Sequence, residues 1–405
     1  MKNEYSGQDM QYSSRPAYRE RELADVSPQR ENVKKGQLDL PFLILTITIL
    51  SIGVIMVLSA SFARAYYKAG DPTRYFVRQL IFAVSGVALM LLMSRMNTNF
   101  YKRIAMPLLV ISIFMLALVP IIGVSEGGAK RWISLGFTTF QPSEIAKLAV
   151  VLSFSVMICV YRDKMKTLRG VLPFAGILVL IVGLLLLEPH LSASVIILAI
   201  GAVMLFAGGA NATWFAGGAV VIAAVGYLIV TKMGYASARI SSWLDPFSDP
   251  TGDGFQIIQS LYSIGSGGVL GLGLGQGRQK YLYLPEEHND FIFSVVCEEL
   301  GFIGATLILL LFALLIIRGY WLALHARDRF GALVITGLTS LLAIQVFLNI
   351  AVVTNLVPCT GISLPFFSYG GTALWIQLVE MGIILAVSRE IPLKRTKKKG
   401  GADEK

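Results

Sequence analysis

The chain has 405 residues, 55% of them hydrophobic and only 15% charged, with a formal net charge of +10 and a mean hydropathy of +0.67. An ordinary soluble domain carries about 25% charged residues, so that class is excluded. The apolar residues fall into blocks of about 20, the length at which a helix crosses about 30 Å of hydrocarbon. The expected fold class is an all-α integral membrane protein, a bundle of about ten transmembrane helices.

Residues 1–38 are polar, rich in Arg, Glu, Gln, Ser and Tyr, and lack apolar periodicity, so they read as a disordered cytoplasmic tail. The first apolar block begins near Leu40 after a long charged stretch and is expected to be an uncleaved anchor. Within a membrane domain of residues 39–390, spans are expected at 40–60, 75–94, 104–124, 142–160, 170–187, 191–209, 212–231, 290–317, 331–356 and 366–388, followed by a basic tail, 391–405. An even number of spans puts both termini on one side. Placing them inside puts roughly two thirds of the Lys and Arg residues inside as well. The positive balance then marks a cytoplasmic face and gives no reason to expect nucleic acid.

This orientation leaves loops 61–74, 125–141, 232–289 and 357–365 outside. The 232–289 segment is too long for a simple connection. Its Trp243, Phe247, Phe255, Tyr262, Tyr281 and Tyr283 are expected to anchor it at the lipid interface. The three cysteines and three histidines are scattered, so neither a disulfide framework nor a nitrogen and sulfur metal site is expected. A metal ion, if used, would take oxygen ligands.

Four clusters carry chemistry. Gly271-Leu-Gly-Leu-Gly-Gln-Gly277 matches no nucleotide-binding pattern. It reads as a flexible turn between re-entrant pieces, with some room for contact to a lipid-linked pyrophosphate. Lys130 and Arg131 are outer cations against the positive-inside tendency, which points to an anionic ligand or lipid head group. Pro142 and Glu144 suit the first turn of a helix, and Glu144 and Lys147 are then i,i+3 neighbours, either lining a polar cavity or forming a purely structural ion pair. Asp290 falls where the long loop becomes a span, as a reactive carboxylate or only as a helix cap. Glu298 lies about 12 Å further along that helix and is offset by about 80°, whereas Glu299 points away. Residues 358–371 hold two prolines and three glycines between apolar spans, an irregular backbone that survives at membrane depth only when buried in protein or lining a cavity. With Glu188, Asn349, Asn355 and Glu380 also in or near spans, the expectation is a polar cleft open to the outside.

These residues carry a resemblance that covers the chain from about Leu40 to Glu390. Lys130-Arg-Trp-Ile133, Gln141-Pro-Ser-Glu-Ile-Ala-Lys147, His288-Asn-Asp-Phe291, Glu298-Glu-Leu-Gly301 and Gly361-Ile-Ser-Leu-Pro-Phe-Phe-Ser-Tyr-Gly-Gly371, in that order, resemble the SEDS family (shape, elongation, division and sporulation proteins), the FtsW and SpoVE branch more than the RodA branch. The resemblance implies a peptidoglycan glycosyltransferase of the bacterial cytoplasmic membrane. Such an enzyme polymerises lipid II on the outer face, releases undecaprenyl pyrophosphate, and works with a class B penicillin-binding protein and other division or sporulation membrane proteins. It implies Asp290 as the catalytic carboxylate. Lys130, Arg131 and Lys147 are then candidates for the pyrophosphate, with Trp132, Glu144, His288, Glu298 and Ser368 beside them in the substrate site.

One tension is visible in the sequence. An Asp at a helix N-terminus has its ionised form favoured, which makes a weak base unless burial opposes the shift. Burial beside Glu298 would resolve this, as would a role for Asp290 as ligand to Mg²⁺ or Mn²⁺; no organic cofactor is expected. Two other classes fit a polar cleft in a bundle: a lipid II flippase, and a non-catalytic scaffold for the penicillin-binding protein.

Overall fold

The computed structural model describes residues 36–391, apart from 127, 128, 135, 137, 138, 233 and 282. The tails expected at 1–38 and 391–405 lie almost wholly outside the described residues. In chain order the helices are α1 (Leu40–Ala69), α2 (Arg74–Met93), α3 (Thr98–Ile122), α4 (Pro142–Val160), α5 (Leu168–Leu187), α6 (Leu191–Ala207), α7 (Ala212–Lys232), α8 (Gly234–Leu244), α9 (Phe255–Ser266), α10 (Ile292–Leu324), α11 (Arg329–Val353) and α12 (Gly371–Ser388). Among the described residues, α1 to α5 and α10 to α12 are long and apolar enough to cross a membrane. The shorter apolar helix α6 and helix α7 occupy the sixth and seventh expected blocks.

Local chemistry sets the ends of these helices. Asp39, Asn97, Thr167 and Asp328 each accept a hydrogen bond from a first-turn amide of the helix they precede, the usual way of satisfying an orphan N–H. Pro142 opens α4 with Glu144 in its first turn, as the sequence predicts. Helices α4, α11 and α12 form the interior: α11 packs on α4, α6 and α10, and α12 packs on α2. Polar side chains are buried on all three, among them Lys147, Gln345, Asn349, Gln377 and Glu380. At the end of the bundle away from the long loop, Arg318 pairs with Asp39 at 2.5 Å and Lys102 with Asp328 at 2.8 Å.

The connections at the other end are structured. Between α3 and α4 lies a three-stranded antiparallel sheet, β1 (Val124–Glu126), β2 (Ala129–Ser134) and β3 (Thr139–Phe140), with Ser125 opposite Lys130 and Ile133 opposite Phe140. Thr372 Oγ1 donates to the Thr139 carbonyl at 3.1 Å and ties β3 to the start of α12. In the long loop, Trp243 of α8 exchanges hydrogen bonds with Asn355: its indole donates to the Asn355 carbonyl at 3.1 Å, and the Asn355 amide donates back at 3.2 Å. Trp243 is therefore held by protein and Phe255 is half-buried, while Phe247, Tyr262, Tyr281 and Tyr283 are exposed.

Helix α10 is not continuous. Gly301 breaks it with φ 65° and ψ −169°, a region essentially reserved for glycine. The glycine-rich segment crosses this break. Leu272 and Gly273 donate to the carbonyls of Glu298 and Glu299, and Phe302 and Ile303 donate to those of Gly268 and Val269. A Cβ on Gly301 would stand 2.2 Å from the Gly271 nitrogen. The segment expected to be a flexible turn is thus a strap that satisfies the broken helix. Gly301→Ala should destabilise the protein by about 1–3 kcal/mol from backbone strain, with the clash against Gly271 added to it, read as a lowered Tm in detergent; an unchanged Tm would mean that the strap does not hold the break.

Candidate active site

Asp290 sits in a turn that precedes the short, buried first part of α10. The turn begins at Glu286, which has a positive φ of 54°, and closes when Asn289 donates its backbone N–H to the Glu286 carbonyl at 3.0 Å and its side-chain amide to the Glu286 carboxylate at 2.5 Å. Three successive carbonyls of this turn are taken by the segments behind it. Tyr369 N donates to the His288 carbonyl at 2.9 Å, Ser368 Oγ to that of Asn289 at 2.8 Å, and Asn349 Nδ2 to that of Asp290 at 2.8 Å. Asn349 Nδ2 also donates to the Ile362 carbonyl at 2.6 Å, so one buried amide joins both segments to α11. Gly361, at φ +51°, lies against the carboxyl: a Cβ there would be 3.1 Å from Asp290 Oδ2.

This placement answers the helix-cap alternative, because the residue at the cap of α10 is Phe291, with no side-chain capping hydrogen bond. It also resolves the electrostatic tension on the side of burial. Burial raises the Asp290 carboxyl, Glu286 raises it further, and Arg131, Arg239 and His288 oppose them; the result is a carboxyl pushed up to about 6. The neighbouring carboxylate that matters is Glu286 from the same turn, where the sequence pointed to Glu298.

The flanking residues of the turn are fixed. Glu287 is fully buried and takes a two-pronged hydrogen bond from Arg64 of α1, at 2.6 and 2.7 Å. Burial alone would raise this carboxyl, but His288 and Arg64 outweigh it and hold it below its ordinary range. The His288 ring packs between Tyr75 and Tyr369, with centroids 4.9 and 5.7 Å away, and its Nδ1 is 3.7 Å from Glu287.

A second group of polar residues meets at the same end of the bundle. Glu144 and Lys147 pair at 2.8 Å with both side chains buried, as their spacing predicts. Arg131 on β2 donates to the Pro189 carbonyl in the turn between α5 and α6, and its charge favours the ionised form of both Glu188 and Asp290. Lys130 is exposed on the same strand, and Trp132 is half-buried opposite Val124. The structure therefore brings Asp290, Arg131, His288 and the Glu144–Lys147 pair to one end of the bundle, with Lys130 at its edge.

Two expected substrate residues have other duties. Both Glu298 oxygens are engaged inside the protein: Arg278 N donates at 2.7 Å, Gln279 N at 3.3 and 3.4 Å, and Ser263 Oγ at 3.4 Å. Ser368 Oγ accepts from Leu364 N at 2.7 Å while donating to Asn289, which closes the 364–368 turn. The reason is the same in both cases, an irregular buried backbone with N–H groups to satisfy. Glu299 behaves likewise, with Ser59 Oγ at 2.6 Å, Gly275 N at 3.0 Å and Lys280 Nζ at 2.7 Å. The glycine-rich strap does cradle anions, and they are the protein's own carboxylates.

Known proteins resemble this chain over most of its length. The family of FtsW, RodA and SpoVE proteins, described as "Cell cycle protein", matches residues 40–392. The chain belongs to this family. It is 42% identical over 366 residues to stage V sporulation protein E of Bacillus subtilis, covering 88% of this chain and 98% of the relative. It is 41% identical over 368 residues to a probable peptidoglycan glycosyltransferase FtsW of Trichlorobacter lovleyi, covering 90% and 96%. Among solved structures it resembles a chain of a peptidoglycan synthase complex studied for its coordination of polymerization and crosslinking, with a TM-score of 0.69, 30% identity, and 87% and 98% of the two chains covered. The rod shape determining protein RodA of Thermus thermophilus aligns with a TM-score of 0.64 and 28% identity over 87% and 97%.

In this SEDS family member the structure adds residues that sequence reading passed over. Arg239 of α8 donates to the Cys359 carbonyl and its charge favours the ionised form of Asp290. The 232–289 loop holds four cations, Lys232, Arg239, Arg278 and Lys280, and sequence alone does not single out Arg239 among them. Lys280 is buried and held by Glu299 and Ser59, the latter at 3.2 Å. Lys280→Met leaves Glu299 as an uncompensated buried charge and should cost about 3–5 kcal/mol of stability. Equilibrium unfolding in detergent checks this, and a variant as stable as the parent would show that Glu299 does not depend on Lys280.

Proposed function

We propose that this protein is a peptidoglycan glycosyltransferase that polymerises lipid II on the outer face of the bacterial cytoplasmic membrane, in cell division or sporulation, with both termini cytoplasmic. The observation that carries this reading is a carboxylate with raised basicity, Asp290, held in a rigid turn beside Arg131 and Arg239 at the loop end of a membrane bundle. The names of the relatives at 41–42% identity support it. Outside the cell there are no nucleotide sugars, so the donor must bring its own leaving group, and a lipid pyrophosphate supplies one. A class B penicillin-binding protein is the proposed working partner, since the solved relative comes from a synthase complex. Other division or sporulation membrane proteins are further partners.

In this scheme Asp290 removes the proton from the 4-hydroxyl of the acceptor GlcNAc. The oxygen attacks the anomeric carbon of the growing chain's terminal MurNAc, the bond to undecaprenyl pyrophosphate breaks, and the pyrophosphate leaves with the electron pair. Arg131 offers a guanidinium to that anion; Lys130 and Lys147 supply further charge, Glu144 orients Lys147, and Trp132 and His288 border the site. Burial is what makes the base work, because a carboxyl near 6 is still ionised at neutral pH yet takes a proton more readily than an exposed Asp.

Mg²⁺ or Mn²⁺ on Asp290 is the weaker reading. Among the described residues no three His, Cys, Asp or Glu side chains converge, and two guanidiniums already act on the carboxyl.

Two outcomes test the assignment in a polymerisation assay with fluorescent lipid II. Asp290→Asn should reduce polymer formation by a factor of about 10² or more while leaving folding and partner binding intact; normal turnover would remove Asp290 from the reaction. For the parent, a base whose basicity is raised is lost on acidification, so kcat/KM should fall as pH drops through about 6. A profile flat down to pH 4.5 would contradict a base of that strength. Polymerisation that a chelator abolishes and Mg²⁺ restores would move Asp290 to the metal role.

A further inference from the structure

The turn between α5 and α6 holds polar atoms that the scheme above does not use. Glu188 is 1% exposed and His190 6% exposed. Both Glu188 oxygens, His190 Nδ1 and Arg131 Nε are buried without a hydrogen-bond partner among the described residues. They belong together, because Arg131 donates its other nitrogen to Pro189, the residue between Glu188 and His190. Gln141 Nε2 lies 3.3 Å from His190 Nε2; the amide donates there, so the imidazole proton sits on Nδ1. Buried polar groups are ordinarily satisfied, and four orphans in one place mark a site for something else.

The chemistry of the group selects its ligand. Burial pushes the Glu188 carboxyl up to about 8, against the opposing charge of Arg131, so at neutral pH it carries its proton and offers one donor and one acceptor. Burial, with Arg131 and Lys147, depresses His190 to about 3, which keeps the ring neutral with an N–H donor. An uncharged set of donors and acceptors matches hydroxyl and acetamido groups. It has little to offer a pyrophosphate, which Arg131 suits.

We infer that Glu188 and His190, with Gln141 orienting the imidazole, form a subsite for the uncharged sugar of the lipid-linked substrate, next to the Arg131 that takes its pyrophosphate. This rests on the glycosyltransferase reading and names which part of the substrate each group holds.

The test compares binding of two probes to the full-length protein in detergent: lipid II, and undecaprenyl pyrophosphate, which has no sugar. Glu188→Ala and His190→Ala should each weaken lipid II roughly tenfold and change the sugar-free lipid by less than about twofold. Arg131→Ala should weaken both. Glu188→Gln keeps a donor and an acceptor and should recover the preference lost in Glu188→Ala. With two independent positions, a folding failure at one leaves the other informative. Alanine variants that bind lipid II like the parent, or weaken both probes equally, would overturn the subsite. A parent that makes polymer but binds the two probes equally would also overturn it. A parent that neither prefers lipid II nor polymerises it would overturn the glycosyltransferase reading itself, and the subsite with it.

Discussion

The geometry of the reactive end rests on backbone carbonyls that have no place in a helix or sheet. Residues 286–291 and 358–370 are irregular, and irregular backbone buried in a membrane bundle must find its hydrogen bonds within the protein. The two segments satisfy each other: the carbonyls of His288, Asn289 and Asp290 are taken in turn by Tyr369, Ser368 and Asn349. Gln79 of α2 holds the other side of the lock through the Ser368 carbonyl at 3.2 Å and Gly370 N at 3.4 Å. The Asp290 carboxyl is thereby fixed by its own main chain, leaving its side chain for chemistry.

The same accounting divides the buried ionisable groups into two classes. Glu287, Glu298, Glu299 and Lys280 are saturated by Arg64, by strap amides, by Ser59 and by one another. Each is expensive to bury and is retained where a turn or helix break needs a charged acceptor or donor. Asp290, Glu188 and Arg131 show the opposite condition, burial with incomplete satisfaction or a shifted ionisation. A charge that the fold has fully used is structural, and one it leaves partly unsatisfied is available to a ligand. By this criterion Glu298 and Ser368 serve the fold, whereas Glu188 and His190 keep buried polar atoms that the described residues do not satisfy.

Sequence reading recovered what depends on local rules. The apolar blocks follow from the thickness of a bilayer, and the Glu144–Lys147 pair from helix periodicity and the proline that starts α4. What it missed depends on contacts distant in sequence. Helix periodicity gives only the angle of Glu298 around α10, but its partners come from residues 278 and 279 of a strap that the glycines alone do not place. In sequence Glu286 is one acid among several, because its role follows from a left-handed turn that folds it back beside Asp290.

The break at Gly301 gives these observations a common cause. An unbroken α10 would carry one straight axis from its first residue to Leu324. The break separates a buried first part, residues 292–300, from the longer part that follows, so each is free to take its own direction. The start of that first part can then lie inside protein, where burial and Glu286 raise Asp290 while Arg131, Arg239 and His288 restrain it. Stronger restraint would leave a poor base, and weaker restraint a carboxyl already protonated at neutral pH. The balance depends on the two arginines coming from different elements, β2 and α8. The placement of β2 and α8 at the bundle end is therefore part of what sets the ionisation of Asp290.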